Sequence, residues 1–423
     1  MGLSTVLSGV VVAAGQYSLP RSVVEAVDQH VSVAKMRADA SAASSRVRSV
    51  EISGSPTLEF TSAGRFPIDS ELGSARSRVS ESDETFLDGI FTVRIPLFDF
   101  GKRDASRASE DFRFKAISEK IYGLRQRLAA ELLGSAAEYL QYESEKALIL
   151  KVVELIQEGI RVERRRYEGG TGSLTDLRSL EIRLVEIESE LARKKFQATM
   201  LIDRVEQDFS ISLPEFADVS STFIEALEVP REIFKPSASS DLASLVNQRM
   251  ALVSSRLKAE RQNLPEVNGL VTTTFYDMDV AFGEQYEIVG GLQASMPLFD
   301  GGAKDNEVEI LDAQIRAVDA EIEKKNAEVT LENESIVKDI QLYDQQLEDA
   351  ALVLREQQDK GSDIQKQFAS LAGSHIDVIQ QQIVVNQQQR KLSSLYWERQ
   401  ALIIDLIAKR EMYRLDSMNG QGH

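Results

Sequence analysis

One short phrase occurs twice in the chain. "IPLFDFG", Ile95 to Gly101, returns as "MPLFDGG", Met296 to Gly302, with Pro96 and Pro297 separated by 201 residues. The same offset carries Tyr167 onto Phe368, Gly172 onto Gly373, Ser173 onto Ser374 and Asp176 onto Asp377. No net insertion therefore separates the two copies over about eighty residues. A chain that holds segment length this constant is built from two equivalent halves whose long elements must match.

Proline placement says what those elements are. The nine prolines are Pro20, Pro56, Pro67, Pro96, Pro214, Pro230, Pro236, Pro265 and Pro297, so 97–213 and 298–423 have none. Proline breaks helix interiors, and both runs are rich in strong helix formers. Apolar residues step by three and four in each: Leu124, Leu128, Leu132 and Val152, Leu155, Ile156, Ile160 in the first, and Ile315, Val318, Ile322 and Ile336, Ile340, Tyr343, Leu347 in the second. Each run is interrupted once, by "RYEGGTGSLTDL" (Arg166–Leu177) and "QFASLAGSHIDV" (Gln367–Val378). A Gly-containing turn followed by Ser or Asp ends one helix and caps the next. Each run thus predicts an antiparallel helical hairpin, and the 66 residues from Gly101 to Arg166 span ~100 Å as one helix.

Period two replaces period three-and-a-half ahead of each hairpin. Leu87, Gly89, Phe91, Val93 and Ile95 alternate with Asp88, Thr92 and Arg94, broken only by Ile90. Tyr286, Ile288, Gly290, Leu292, Ala294 and Met296 alternate with Glu287, Gln293 and Ser295 in the same register. Weaker alternation over about 47–60 and 266–280 supplies a partner strand in each half. The expected order is a signal-like or apolar arm at 1–20, then a first repeat at 21–213: a helix, strands near 47–60 and 84–98, and a hairpin over 101–208 with its tip near 167–176. A linker or equatorial region follows at 214–240. The second repeat at 241–415 has a helix, strands near 266–280 and 284–298, and a hairpin over 302–412 with its tip near 368–377, before a tail at 416–423.

Four strands cannot close a barrel, and an open sheet in lipid leaves unpaired edge groups at several kcal/mol each. Closure has to come from oligomerisation. Transmembrane barrels begin at eight strands, so a dimer reaches the minimum and a trimer gives twelve; periodicity does not choose. No uninterrupted run of about 20 apolar residues offers a transmembrane helix. "LSTVLSGVVVAAG", Leu3 to Gly15, has the apolar stretch and small residues of a secretory signal but no basic start, so a trimmed signal and an ordinary apolar arm both fit.

Composition removes other function classes. A formal charge of −18 is unsuited to nucleic acid, whose phosphates call for clustered Lys and Arg. With no cysteine and with His30, His375 and His423 far apart, there is no thiol chemistry, no lipid-bearing Cys and no metal-ligand spacing. No phosphate-binding glycine loop or catalytic constellation is present, so neither enzyme nor cofactor is expected. A soluble coiled-coil scaffold would account for the helices and the acidity, but it has no use for four strands; it would stay in solution after lysis without detergent, whereas a barrel would sediment with outer membranes.

The duplicated "PLFDFG" and "PLFDGG", and the tip pattern Arg166, Tyr167, Gly170, Ser173 and Asp176, resemble the TolC family of outer-membrane channel proteins over about Leu19 to Leu415. The resemblance implies a mainly α protein with a transmembrane β part. It would be a homotrimer, each protomer giving four strands to a twelve-stranded barrel in outer-membrane lipid and two hairpins to a periplasmic tunnel. It also implies an exit duct for small-molecule efflux or type I protein secretion, recruited by a periplasmic adaptor and an inner-membrane transporter.

In the family the entrance lies at the hairpin tips. Carried over residue by residue, Asp377 meets an acidic position that narrows it, while Gln380 stands where a second acid is frequent, so a double acidic ring is not supported. Phe368 replaces a frequent Tyr, and Leu371 stands where the first tip has Gly170, which puts a tyrosine latch in doubt; Tyr167 and Asp176 are the first-tip counterparts. Arg166, Gly172, Ser173, Gly373 and Ser374 fall where adaptor tips are met. Structural roles compete at each place. Asp176 and Asp377 suit helix N-termini whether or not a channel exists. Arg164, Arg165 and Arg166 suit a solvated turn, and His375 an exposed tip. Pro96, Asp99, Gly101, Pro297, Asp300 and Gly302 read as strand exit, helix cap and tight bend.

Overall fold

The computed structural model describes residues 17–65, 86–229, 239–276, 286–370 and 375–415. In chain order the elements are β1 (Tyr17–Ser18), α1 (Arg21–Gln29), α2 (Val31–Ile52), β2 (Thr57–Arg65), β3 (Phe86–Phe98), α3 (Lys102–Glu168), α4 (Leu174–Phe209), α5 (Leu213–Glu225), α6 (Ser240–Glu260), β4 (Glu266–Phe275), β5 (Tyr286–Ser295), α7 (Ala303–Ala369), α8 (His375–Lys409) and β6 (Tyr413–Arg414). The proline-free runs supply α3 and α7, each 67 residues long, and their returning helices α4 and α8. The chain divides into two compact units, 1–37 with 119–243 and 324–423, and 38–118 with 244–323. Each unit draws on both halves of the sequence, so the duplication in sequence is not the division in space.

The first unit is helical. Its larger core joins Val23 and Val27 of α1, Leu132 and Leu133 of α3, Leu213 and Ile224 of α5, and Ile403 and Ile407 of α8. β1 and β6 tie the first and last described stretches into this core as a parallel pair, Tyr17 beside Tyr413. The Gln126 amide donates to the Tyr413 carbonyl at 2.8 Å, and the buried Tyr413 hydroxyl donates to the Ile404 carbonyl at 3.0 Å. A second, separate cluster gathers Ile149, Val152, Ile156, Leu180, Ile187, Ile379 and Ile383 from α3, α4 and α8.

The second unit carries a four-stranded antiparallel sheet in the order β2-β3-β4-β5. Helical segments accompany it and meet through small residues: Ala43, Ala105, Ala251 and Ala259 are buried, and the Ser109 and Ser255 hydroxyls lie 2.8 Å apart. Small side chains let helix axes approach closely.

Several expectations need correction. The strand expected near 47–60 begins only at Thr57, because α2 continues to Ile52. Ala43, Val47 and Val50 are spaced by four and three, a helical stripe that outweighed the weak alternation, and Gly54-Ser55-Pro56 is the break. A single first helix is in fact α1 and α2, parted at His30, whose backbone is extended. The stretch 214–240 is not simply a linker: α5 runs through it from Leu213 to Glu225, with Pro214 in its first turn, where the missing N–H costs nothing. The strand near 284–298 stops at Ser295, before Pro297, whereas β3 passes through Pro96 with a bulge between Pro96 and Phe98. β3 has a neighbour on each side to hold it, and β5 has one. Finally, residues 17–20 belong to the fold, with Leu19 in the core. The arm's residues 1–16, the strand ends 84–85, 277–280 and 284–285, and the tail 416–423 lie outside the described residues.

Candidate functional site

Two places collect the residues singled out by the sequence: the sheet with its strand-to-helix junctions, in one unit, and the hairpin tips, in the other.

The registers sort the sheet into two unlike faces. On one face Leu58, Val93 and Val271 stand abreast, as do Phe60, Phe91, Thr273 and Ile288 in the next row. Aromatic rings run across this face: Phe60 to Phe91 at 4.7 Å, Phe91 to Phe275 at 6.0 Å and Phe275 to Tyr286 at 6.3 Å between centroids. Leu58, Phe60, Tyr286, Ile288 and Leu292 of it are exposed. The other face is mainly polar: Glu59, Thr92, Thr272 and Val289 stand in one row, Thr61, Ile90, Thr274 and Glu287 in another, Thr57, Arg94, Leu270 and Gly291 in a third, and Asn268 with Gln293 near the base. β2 and β5 form the two open edges. An apolar, aromatic face on one side, a polar face on the other and unpaired edges are the pattern of a wall segment of a larger barrel in lipid.

Both junctions are capped by the duplicated aspartate. Asp99 accepts from the Gly101 amide at 3.0 Å, the Arg103 amide at 2.9 Å and the Arg103 Nε at 2.7 Å. Burial raises its pKa, but the bonds from the Arg103 side chain and the two amides outweigh it and hold the carboxyl below its ordinary 3.8. Asp300 accepts from Asn263 Nδ2 at 2.8 Å, the Gly302 amide at 2.9 Å and the Lys304 amide at 3.3 Å. Its carboxyl is likewise held low, chiefly by Asn263 and then by Gly302. Gly101 and Gly302 have φ of +77° and +87°, values that glycine adopts without steric cost. The position between cap and glycine is left-handed too: Gly301 at +67°, and in the other copy Phe100 at +57°. Pro96 lies within β3 opposite Asn268, while Pro297 lies beyond the end of β5.

At the first tip the Arg166 carbonyl closes α3, accepting from the amides of Thr171 at 2.8 Å and Gly172 at 2.9 Å. A Cβ at Gly172 would lie 2.5 Å from the Tyr167 amide nitrogen and 2.8 Å from the Arg166 carbonyl carbon, so the backbone itself excludes any side chain there. Ser173 caps α4, its hydroxyl accepting from the Asp176 amide at 3.4 Å. Tyr167 is exposed and Asp176 half-buried. Arg166 is paired yet reachable: its side chain is 45% exposed, and Nη1 lies 2.8 Å from Glu163, whose side chain is only 1% exposed. Arg164 reaches Glu181 on α4 at 2.9 Å.

The second tip is described up to Ser370 and from His375 onward. Asp377 and Gln380 occupy one exposed face of the first turn of α8, three residues apart, and no described cation pairs with Asp377. Phe368, 41% exposed, packs its ring 5.7 Å from His375, which is half-buried rather than a bare tip residue. Leu371, Gly373 and Ser374 lie outside the described residues.

The roots of the two tips meet at a residue the sequence reading passed over. A Cβ at Gly159 of α3 would fall 2.4 Å from Ile379 Cδ1 on α8 and 3.4 Å from Leu180 Cδ1 on α4. Glycine in a helix interior costs roughly 1 kcal/mol against alanine, and that was the available signal. Two amides were missed as well: Gln381 donates to the Gln357 carbonyl at 2.8 Å, and Asn386 to the Leu148 carbonyl at 3.0 Å, binding α8 to α7 and to α3. Nothing in a glutamine-rich run marks which amide is buried. Among the described residues no group of His, Asp and Glu could hold a metal, and no helix is long and apolar enough to cross a membrane.

Comparison with known proteins agrees with this geometry. The family model of outer membrane efflux proteins matches residues 23–199. No curated protein is similar in sequence. Solved structures similar in fold include the outer membrane protein VceC of Vibrio cholerae, at 15% identity and TM-score 0.74 over 92% of this chain and 95% of that one. The CmeC outer membrane channel of Campylobacter jejuni matches at 12% identity and TM-score 0.75, over 92% and 85%. The open-state MtrE outer membrane channel of Neisseria gonorrhoeae matches at 10% identity and TM-score 0.71, over 95% and 96%. Over residues 23–199 the chain is therefore similar to outer membrane efflux proteins, and along nearly its whole length it has the fold of solved outer membrane channels.

Proposed function

We propose that the protein is a trimeric exit duct of the outer membrane, whose three four-stranded sheets close a twelve-stranded barrel and whose helical hairpins form a tunnel into the periplasm. The observation that carries this reading is the two-faced sheet with open edges. Its aromatic face is suited to lipid and its polar face to a water-filled lumen, and only further copies can satisfy its edges. Exposed apolar residues on α4 (Ile182, Val185, Phe196) and α7 (Leu331, Leu342, Leu352) supply surface for neighbouring protomers.

The duct is passive and does no chemistry; an inner-membrane transporter drives it through a periplasmic adaptor that meets the tips around Arg166, Ser173, Gly373 and Ser374. The cargo class, small molecules or a secreted polypeptide, is set by the transporter. At the entrance, three copies of Asp377 around a threefold axis favour cations and oppose anions, while Gln380 adds no second charged ring. Subunit number and single-channel conductance, determined together on detergent-extracted outer membranes, test the proposal. A conducting trimer supports it; a soluble, non-conducting species of another stoichiometry ends it. Asp377→Ala should weaken cation preference and block by multivalent cations in planar bilayers, and an unchanged response would remove Asp377 from the entrance.

A further inference from the structure

A cavity of about 490 Å³ lies in the strand-bearing unit, on the polar face of the sheet where β3 and β4 meet the ends of α2, α3 and α6. Small-molecule sites occupy ~300–1,000 Å³. Four cationic side chains line it, Arg94, Lys102, Arg103 and Lys258, against two carboxylates, Asp99 and Glu266. Both carboxylates are already engaged: Glu266 with Lys102 at 2.9 Å and Asp99 with Arg103 at 2.7 Å. Arg94 and Lys258 are exposed and pair with no carboxylate among the described residues. A local surplus of two positive charges therefore stands in a chain of formal charge −18.

Backbone features keep the recess open. A Cβ at Gly54 would lie 2.7 Å from Arg103 Nη1, so the glycine leaves room for the guanidinium. The bulge between Pro96 and Phe98 turns the base of β3, and Asn268 adds an uncharged amide opposite Pro96. The recess has no copy in the second half, where Arg94, Lys102 and Arg103 correspond to Ser295, Ala303 and Lys304.

We propose that this recess binds a phosphate-bearing solute, with the Arg94 fork and the Lys258 ammonium as its principal contacts and Arg103 and Asn268 beside them. Guanidinium groups match phosphate oxygens in bidentate geometry, and ammonium groups add point charge. The polar face of the sheet favours a solute in the lumen over a lipid headgroup; that placement rests on the duct reading, whereas the binding chemistry does not. A trimer would carry three such recesses in its wall, of opposite sign to the Asp377 entrance.

The test uses the full chain in detergent and in nanodiscs, with labelled inorganic pyrophosphate in equilibrium dialysis, and single-channel block by pyrophosphate in parallel. Wild type should bind and be blocked. Arg94→Gln and Lys258→Gln should each weaken binding by about tenfold, and Glu266→Gln, which removes a neutralising carboxylate, should tighten it. A conducting trimer that binds no pyrophosphate, or binding indifferent to the three substitutions, overturns the site. Binding with the predicted mutational pattern in a protein that does not conduct upholds the site and overturns the duct. Competition by phosphatidylglycerol nanodiscs, with no competition by zwitterionic ones, would make a headgroup the occupant and overturn the solute assignment.

Discussion

α3 and α7 are the same element made twice: 67 residues each, begun by an aspartate cap and a left-handed glycine, 201 residues apart. Their surroundings differ sharply. α3 buries Leu128, Leu132, Leu133, Ile149, Val152 and Ile156, while α7 buries only Ile336, Ile340 and Ala350 and leaves Leu331, Leu342 and Leu352 in solvent. Val152 and Val353 hold equivalent positions and are the same residue, yet one is 2% and the other 38% exposed. Duplication preserved length and capping, which each helix needs for itself; burial depends on neighbours, and those are not duplicated. α3 finds its neighbours within the protomer. By the trimer reading, α7 finds some of its own on another copy.

The sharpest way to break this comparison is paired truncation. Ile149→Ala should cost about 3–4 kcal/mol in protomer stability, because a buried branched side chain leaves a cavity. Leu352→Ala, 60% exposed, should change protomer stability by less than about 0.5 kcal/mol and instead weaken trimer association. Chemical denaturation of the monomer, together with native mass spectrometry of the assembly, separates the two. Equal losses in the monomer would show that α7 is packed as α3 is.

The tips differ in the same direction. Arg166→Ala strands the buried Glu163 carboxylate and should cost roughly 1–3 kcal/mol, recovered in part by adding Glu163→Gln. Gln367, the equivalent of Arg166, should tolerate alanine with no measurable loss. Hydrogen exchange at 160–180 is the readout; no change there on Arg166→Ala would make the ion pair dispensable.

At the junctions the two copies should behave alike. Asp99→Ala should lose about 1 kcal/mol of cap stability, and Asp300→Ala should loosen the start of α7 in the same sense. Both carboxyls are depressed in the fold, so their contribution is full above the unfolded pKa, near the ordinary 3.8, and is lost as pH falls through the lower folded value. Wild type should therefore lose stability on acidification below about pH 4, with a shallower loss in Asp99→Asn; superimposable acid limbs would exclude Asp99 from the effect. The smallest effect is expected at Phe100, left-handed at +57° where the other copy has glycine. Phe100→Gly relieves ~1 kcal/mol of strain but removes the ring contact to Phe98 at 4.6 Å. Thermal midpoints within a few degrees of wild type are predicted; a large drop would show the ring contact to dominate.

How legible each part was follows its range in the chain. Helical hairpins, their turns and the aspartate caps rest on contacts a few residues apart, so proline gaps, three-four spacing and the repeated aspartate sufficed. Period two located β3, β4 and β5, but it misread 47–52, where a helical stripe of Ala43, Val47 and Val50 passes for alternation over a short window. Pro214 read as a break, although the first turn of a helix accepts it. The tips were located but not resolved: no sequence rule shows that Glu163 is buried beneath Arg166, or that Gly159 clears space for Ile379.

By itself the sequence determined what local chemistry determines: two copies of strand, cap and long helix, held to one length, with four alternating strands too few to close. Tertiary structure decided the rest. It joined β3 to β4, the middle pair of the sheet and the one that links the two halves, drew each compact unit from both halves, and gave α3 a core while leaving α7 mostly exposed. The physical reason is that propensity and capping act within a few residues along the chain, whereas burial and strand pairing belong to neighbours that only the folded chain brings together.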